Sequence, residues 1–203
     1  STQIAERIGA ETYRELLDGY MADALPCVHR YEGHVNQLAG DGFMALFGAP
    51  IAPDNDAQRA AHAALEIQAK RQSLAQRWHT RLGSQLQARI GMHTGPVIVG
   101  TVGTDLHMEY SAVGDTTNVA ARIEQNAPPG EILLSGATRR LVASEFITEE
   151  VGSAAFKGKS SLVDVYRLVR AAGRTERRHQ ALRGGLSRFL GRHAELALVL
   201  ERF

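Results

Sequence analysis

The 203-residue sequence predicts an α+β fold, a mixed and mostly antiparallel sheet with helices packed on it. Three observations carry this expectation. Apolar residues recur at helical spacing over residues 1–31, 55–82 and 114–125. Short apolar runs flank glycine-rich turns within residues 34–47 and 97–113. Breakers, notably Gly48-Ala49-Pro50 and Pro128-Pro129-Gly130, separate helical from strand-like stretches.

The elements follow in chain order. Ile4, Ile8, Tyr13, Leu16, Leu17, Tyr20, Met21 and Leu25 predict two helices, or one bent helix, with Gly9 at the joint. Residues 34–38 and 43–47 flank Ala39-Gly40-Asp41-Gly42 and read as a β-hairpin with Asp41 at its tip. Asp54 or Asn55 caps a long helix running to about Leu82. A strand is expected over residues 86–93, and a second hairpin pairs residues 97–99 with 108–113 across a loop at 100–107. A helix over 114–125 is stopped by the Pro-Pro-Gly breaker, and 131–134 reads as a buried strand. Two further strands are expected at 146–151 and 163–168.

Composition bounds the function. Lys plus Arg number 23 against 22 Asp plus Glu, so the net charge of +1 creates no global field for nucleic acid or membrane. Anion binding must therefore be local. Cys27 is the single cysteine, which excludes an internal disulfide framework and fits a reducing, cytoplasmic setting. No apolar run approaches the roughly 20 residues needed to span a bilayer, so no membrane partner is expected. The arginine-rich end lacks interleaved aromatics, so no nucleic-acid partner is expected either.

Few residues are placed to carry chemistry. Asp41, between glycines at a hairpin tip, suits close approach to a metal ion, though Asp-Gly is also an ordinary turn signal. Asn118 and Arg122 lie four apart on a predicted helix and share a face. Arginine there suits phosphate charge and asparagine a sugar oxygen, although a solvated helix face has the same pattern. Lys157-Gly158-Lys159 suits a phosphate tail, and is equally an exposed charged stretch. Gly152 and Gly158-Lys159-Ser160 fail as a phosphate loop, because five residues rather than four separate them. The histidines lack zinc-ligand spacing, and no serine or cysteine sits in a nucleophile motif.

Four segments taken in order resemble the class III adenylyl and guanylyl cyclase catalytic domain. They are Leu38-Ala39-Gly40-Asp41-Gly42-Phe43-Met44-Ala45-Leu46-Phe47-Gly48, Arg89-Ile90-Gly91-Met92-His93-Thr94-Gly95, Gly114-Asp115-Thr116-Thr117-Asn118-Val119-Ala120-Ala121-Arg122 and Phe156-Lys157-Gly158-Lys159. The resemblance covers residues 1–168. It implies a ferredoxin-like βαββαβ core acting as a head-to-tail homodimer with shared sites. Asp41 of one chain would hold Mg2+ or Mn2+, while Asn118, Arg122 and Lys157 of the other would hold ribose, α-phosphate and terminal phosphates. The implied reaction is in-line attack of the ribose 3′ oxygen of ATP or GTP on its α-phosphorus, with two ions in the complete domain.

Two departures from the family pattern stand out. The strand carrying the family's first metal aspartate would precede Ser1, so the domain is expected to be truncated at its N-terminus. The purine-reading positions hold Gln37 and Ser111, neither the lysine–aspartate pair of adenylyl cyclases nor the glutamate–cysteine pair of guanylyl cyclases. Either side chain can donate or accept, so the base stays open, with ATP placed first on its prevalence in the family. Residues 169–185 read as an Arg-rich linker, and 186–203 resemble the opening of an ATPase module that follows such domains in bacterial regulators. Two other readings remain beside the enzyme. One is a degenerate cyclase-homology module that dimerises or binds nucleotide to regulate an attached ATPase or transcription factor; the other is a diguanylate cyclase, whose paired acids Ala39-Gly40-Asp41-Gly42-Phe43 lacks.

Overall fold

Gly9, with φ of 83°, divides the first helical segment into α1 (Thr2–Ile8) and α2 (Ala10–Arg30), so the expected joint lies where glycine permits a left-handed backbone. The computed structural model describes residues 2–49, 54–82, 86–104, 107–155, 162–173 and 175–177. Within these, the side chains of residues 2, 3, 39, 80–82, 101–104 and 107–113 are outside the description. The chain divides into two compact units, Ser1–Ala171 and Ala172–Phe203. In the second, the Gly173 amide donates to the Glu176 carboxylate at 2.8 Å and the Arg177 amide to the Gly173 carbonyl at 2.9 Å.

The first unit continues with a hairpin, β1 (His34–Ala39) and β2 (Gly42–Leu46), and then the long helix α3 (Asp56–Leu82). Strand β3 (Ile90–Met92) leads to a second hairpin, β4 (Ile98–Thr104) and β5 (His107–Val113). Helix α4 (Asp115–Asn126), β6 (Ile132–Ser135), α5 (Gly136–Val142), β7 (Phe146–Ala154) and β8 (Val163–Ala171) complete it.

The main sheet has the order β3-β6-β8-β7, with β3 parallel to β6 and the other pairs antiparallel. Its two faces are filled differently. Ile132 and Leu134 of β6 join Met92, Val142, Phe146 and Leu168 against the small residues Ala57, Ala61 and Ala64 of α3. Leu133, pointing the other way by the period-two alternation of a strand, joins Val165 against Val119, Ile123 and Ala127 at α4. Every residue of β6 is buried, as its continuous apolar run predicts. The β1–β2 and β4–β5 hairpins form separate two-stranded sheets, and Val35, Phe43, Ala45 and Phe47 share an apolar cluster with Ile90 and with Ala24, Cys27, Val28 and Ile67.

The architecture is α+β as expected, with corrections at particular elements. The strand expected over 86–93 is only Ile90–Met92. Side chains of α3 reach the preceding residues: Arg71 donates to the Leu86 carbonyl, and Gln68 Nε2 shares the Ala88 carbonyl, at 2.9 Å, with the Gly130 amide at 3.1 Å. The second hairpin is longer than expected, because most of the loop placed at 100–107 pairs as strand from Ile98↔Val113 to Thr104↔His107. Helix α5 was not anticipated. It is only seven residues long and is announced by a capping residue, Ser135, whose Oγ accepts from the Thr138 amide at 3.3 Å.

Candidate active site

Asp41 occupies the second position of a two-residue turn closed by the Ala39↔Gly42 pair. Gly40 takes the first position with φ of 62°, which a primed hairpin turn demands and a side chain resists. The aspartate is therefore exposed at the tip, as expected. Tyr20 of α2 feels it. Burial pushes the Tyr20 hydroxyl up to about 12, Arg71 pulls it down, and the Asp41 carboxylate adds to the upward push.

A polar knot fixes both ends of this hairpin. Arg59 of α3 pairs with Asp56 on its own helix and with Glu32 at 2.9 Å, and its Nη1 donates to the Tyr31 carbonyl at 3.1 Å. Glu32 has φ of 58°, a conformation other residues rarely adopt, at the turn that enters β1. At the exit from β2, Gly48 lies so close to Asp56 that an added Cβ would sit 2.0 Å from Oδ2. Entry turn, exit turn and the start of α3 thus meet around one arginine.

Helix α4 presents the second group. Thr116, Val119 and Ile123 are buried, so Asn118 and Arg122 fall together elsewhere on the helix, Asn118 exposed and Arg122 partly so. Their spacing of one turn gives the shared face that the sequence predicts. The helix lies against β3 at very short range: a Cβ on Gly91 would meet the Glu124 amide nitrogen at 2.3 Å and the Ala120 carbonyl at 2.4 Å. At its C-terminal end, Asn126 Nδ2 donates to the Arg122 carbonyl at 2.7 Å and Arg89 Nη1 reaches the Gln125 carbonyl at 3.4 Å.

The remaining predicted residues are placed less completely. Gln37 is exposed on β1, immediately after a bulge that leaves Asn36 without a cross-strand partner, and the Asn36 Oδ1 is buried without a hydrogen bond among the described residues. Ser111 of β5 pairs with Gly100 of β4, and β5 touches β1, so the strands carrying Gln37 and Ser111 are neighbours. The Ser111 side chain and the whole of Lys157 lie outside the described residues. Asp41 and the Asn118–Arg122 pair stand on different elements, and among the described residues no three His, Cys, Asp or Glu side chains gather as a metal-binding group. One exposed carboxylate fits magnesium nonetheless, since that ion commonly takes one or two carboxylates and completes its shell with water and substrate phosphate.

Residues not singled out in the sequence support α4. The Thr116 Oγ1 donates to the Pro96 carbonyl at 2.7 Å, and Thr117 Oγ1 to that of Gly114 at 2.8 Å. His93 Nδ1 lies 2.8 Å from Ser135 Oγ, and Thr94 Oγ1 lies 3.0 Å from Thr138 Oγ1. These contacts tie residues 93 and 94 to the end of β6 and to α5. The two pairs join residues 42 and 44 apart, a separation that hides them from local pattern reading.

An α+β domain with helices on both faces of a mixed sheet is the fold of solved nucleotidyl cyclase domains. The family described as the adenylate and guanylate cyclase catalytic domain matches residues 1–169. Adenylate cyclase 1 of Rhizobium meliloti is 31% identical over 180 residues, covering 86% of this chain and 27% of that protein. Guanylate cyclase soluble subunit beta-2 of Rattus norvegicus is 33% identical over 155 residues, covering 76% of this chain and 22% of that protein. Among solved structures, the adenylyl cyclase CyaB from P. aeruginosa superposes with a TM-score of 0.79 at 29% identity, covering 86% of this chain and 90% of that one. The chain belongs to the adenylate and guanylate cyclase catalytic domain family. It spans about a quarter of the length of these two curated relatives. Among the described residues, no helix is long and apolar enough to cross a membrane.

Proposed function

We propose that this chain converts ATP or GTP to the 3′,5′-cyclic monophosphate and pyrophosphate, in a site shared by two copies. The observation that carries the reading is that its two groups stand on different elements, Asp41 on the tip of the β1–β2 hairpin and Asn118 with Arg122 one turn apart on α4. A head-to-tail pair of chains brings the hairpin of one to the helix of the other. The ribose 3′ oxygen forms a bond to the α-phosphorus, its proton passes to solvent, and the bond from that phosphorus to the bridging oxygen breaks to release pyrophosphate.

Each residue has a task in that reaction. Arg122 offsets charge that grows on the α-phosphate as the new bond forms, and Asn118 orients the ribose for in-line attack. Lys157 holds the terminal phosphates. Asp41 holds Mg2+ or Mn2+, which supplies charge neutralisation at the phosphates when bound. Gln37 and Ser111 contact the purine, and because both amide and hydroxyl can donate or accept, both bases are accommodated. Relatives named as adenylate and as guanylate cyclases match to similar extents, in keeping with that openness. Residues 186–203, which lie outside the described residues, resemble the opening of an ATPase module that the Arg-rich segment following β8 would join.

The test is formation of cyclic AMP and cyclic GMP by the purified protein with Mn2+. Arg122→Ala should lower kcat at least about 100-fold while nucleotide affinity changes by less than about tenfold, because the arginine acts on charge developed in the transition state. Unchanged turnover in that variant would remove Arg122 from the reaction. A folded protein that makes neither product would instead support the regulatory, nucleotide-binding module.

A further inference from the structure

Apolar packing sets how close α4 lies to the sheet, but it is poor at setting the helix's rotation and its position along its axis. Val119 and Ile123 contact Leu133 and Val165 through dispersion and hydrophobic burial, which are not directional. The residue before the helix, Gly114, provides no side-chain cap. In the first turn of α4, Thr116 supplies a directional link. Its hydroxyl donates to the Pro96 carbonyl at 2.7 Å, and the same oxygen would lie 2.6 Å from a Cβ on Gly95. Thr116 is buried, and the missing side chain of Gly95 makes room for it.

The segment it grips is itself held from the other side. His93 is bonded to Ser135 and Thr94 to Thr138, while Ser135 and Thr138 lie 3.2 Å apart and are both buried. Residues 93–96 are therefore a fixed bracket between the end of β6, α5 and α4. At a rise of about 1.5 Å per residue, Asn118 lies about 3 Å and Arg122 about 9 Å along the axis from the anchored residue. A small slip or rotation at Thr116 passes undiminished to both.

Resting on the cyclase reading above, we infer that Thr116 is a positioning residue: its hydrogen bond to Pro96 registers α4 so that Asn118 and Arg122 meet the nucleotide in reactive geometry. It touches neither nucleotide nor metal. Losing an ångström of alignment costs up to about 100-fold in rate where chemistry depends on orientation, and costs little in binding.

The experiment compares Thr116→Val, which keeps the shape and deletes the donor, with Thr116→Ser, which keeps the donor. Both are measured in the complete protein for kcat, KM and thermal unfolding. Thr116→Val should lower kcat about 10- to 100-fold with KM within about threefold and the protein fully folded at the assay temperature, and Thr116→Ser should recover most of the loss. Wild-type kcat in Thr116→Val overturns the proposal, and so does an equal loss in Thr116→Ser, or a kcat loss that only follows the unfolded fraction. If the wild-type protein forms no cyclic product, the cyclase reading fails and the positioning role fails with it. If wild type is active and Thr116→Val is too, only the positioning role fails.

Discussion

At the scale of single residues, the protein's chemistry depends on where polar groups are forced by their surroundings. Tyr20 illustrates this beneath the Asp41 hairpin. Its hydroxyl ionises near 10 in the unfolded chain and only at about 12 in the fold, where burial opposes the phenolate. Its contribution to stability is therefore complete below pH 10 and is lost as pH rises from about 10 to 12, on the order of 2 kcal/mol. Urea unfolding at pH 8 and pH 11 should give a smaller loss of stability in Tyr20→Phe than in wild type. Equal losses in the two proteins would assign the alkaline limb to other groups. The shared face of Asn118 and Arg122 on α4 was legible in the sequence because a spacing of four is a local property of a helix. The grip of Thr116 on Pro96 was not, because it joins residues 20 apart and depends on a segment whose shape no local rule supplies.

At the scale of elements, success and failure in reading the sequence have physical causes. The β1–β2 hairpin, α3 and α4 were legible because each advertises itself through periodicity and a breaker or turn at its ends. Residues 86–89 alternate as a strand would, yet the ladder begins only at Ile90: Arg71 of the preceding helix takes the Leu86 carbonyl, and the Ala88 carbonyl is shared by Gln68 and the Gly130 amide. Helix α5 is too short for a period to stand out, leaving the Ser135 cap as its single local sign. Gly91 makes the helix–strand contact testable. A methyl there meets three backbone atoms of α4 within 2.7 Å, so the helix must retreat by about 1 Å. Gly91→Ala should lower stability by about 1–3 kcal/mol, read by denaturant unfolding, and should reduce turnover beyond what the unfolded fraction explains. Wild-type stability would mean that α4 is free to shift, contrary to its close packing.

At the scale of the whole molecule, the proposed reaction is a property of two chains. Each twofold pair then has two sites, each using Asp41 from one copy and Arg122 from the other. Mixing Asp41→Ala chains with Arg122→Ala chains, each inactive alone, should restore activity: half the pairs are mixed and each has one intact site, so about a quarter of wild-type turnover is expected at free exchange. No recovery between folded, exchanging chains would place both residues in a site within one chain.

Strand β6 has a consequence for how this domain tolerates change. Its alternate side chains belong to two different clusters, one under α3 and one under α4, and all four of its residues are buried. The two halves of the interior therefore share a wall. A cavity cut on the α3 side loosens the strand to which α4 also holds, and a substitution tens of residues away in sequence reaches the Asn–Arg pair without touching it. Under the proposed reaction, the alignment of that pair constrains every core residue that faces β6.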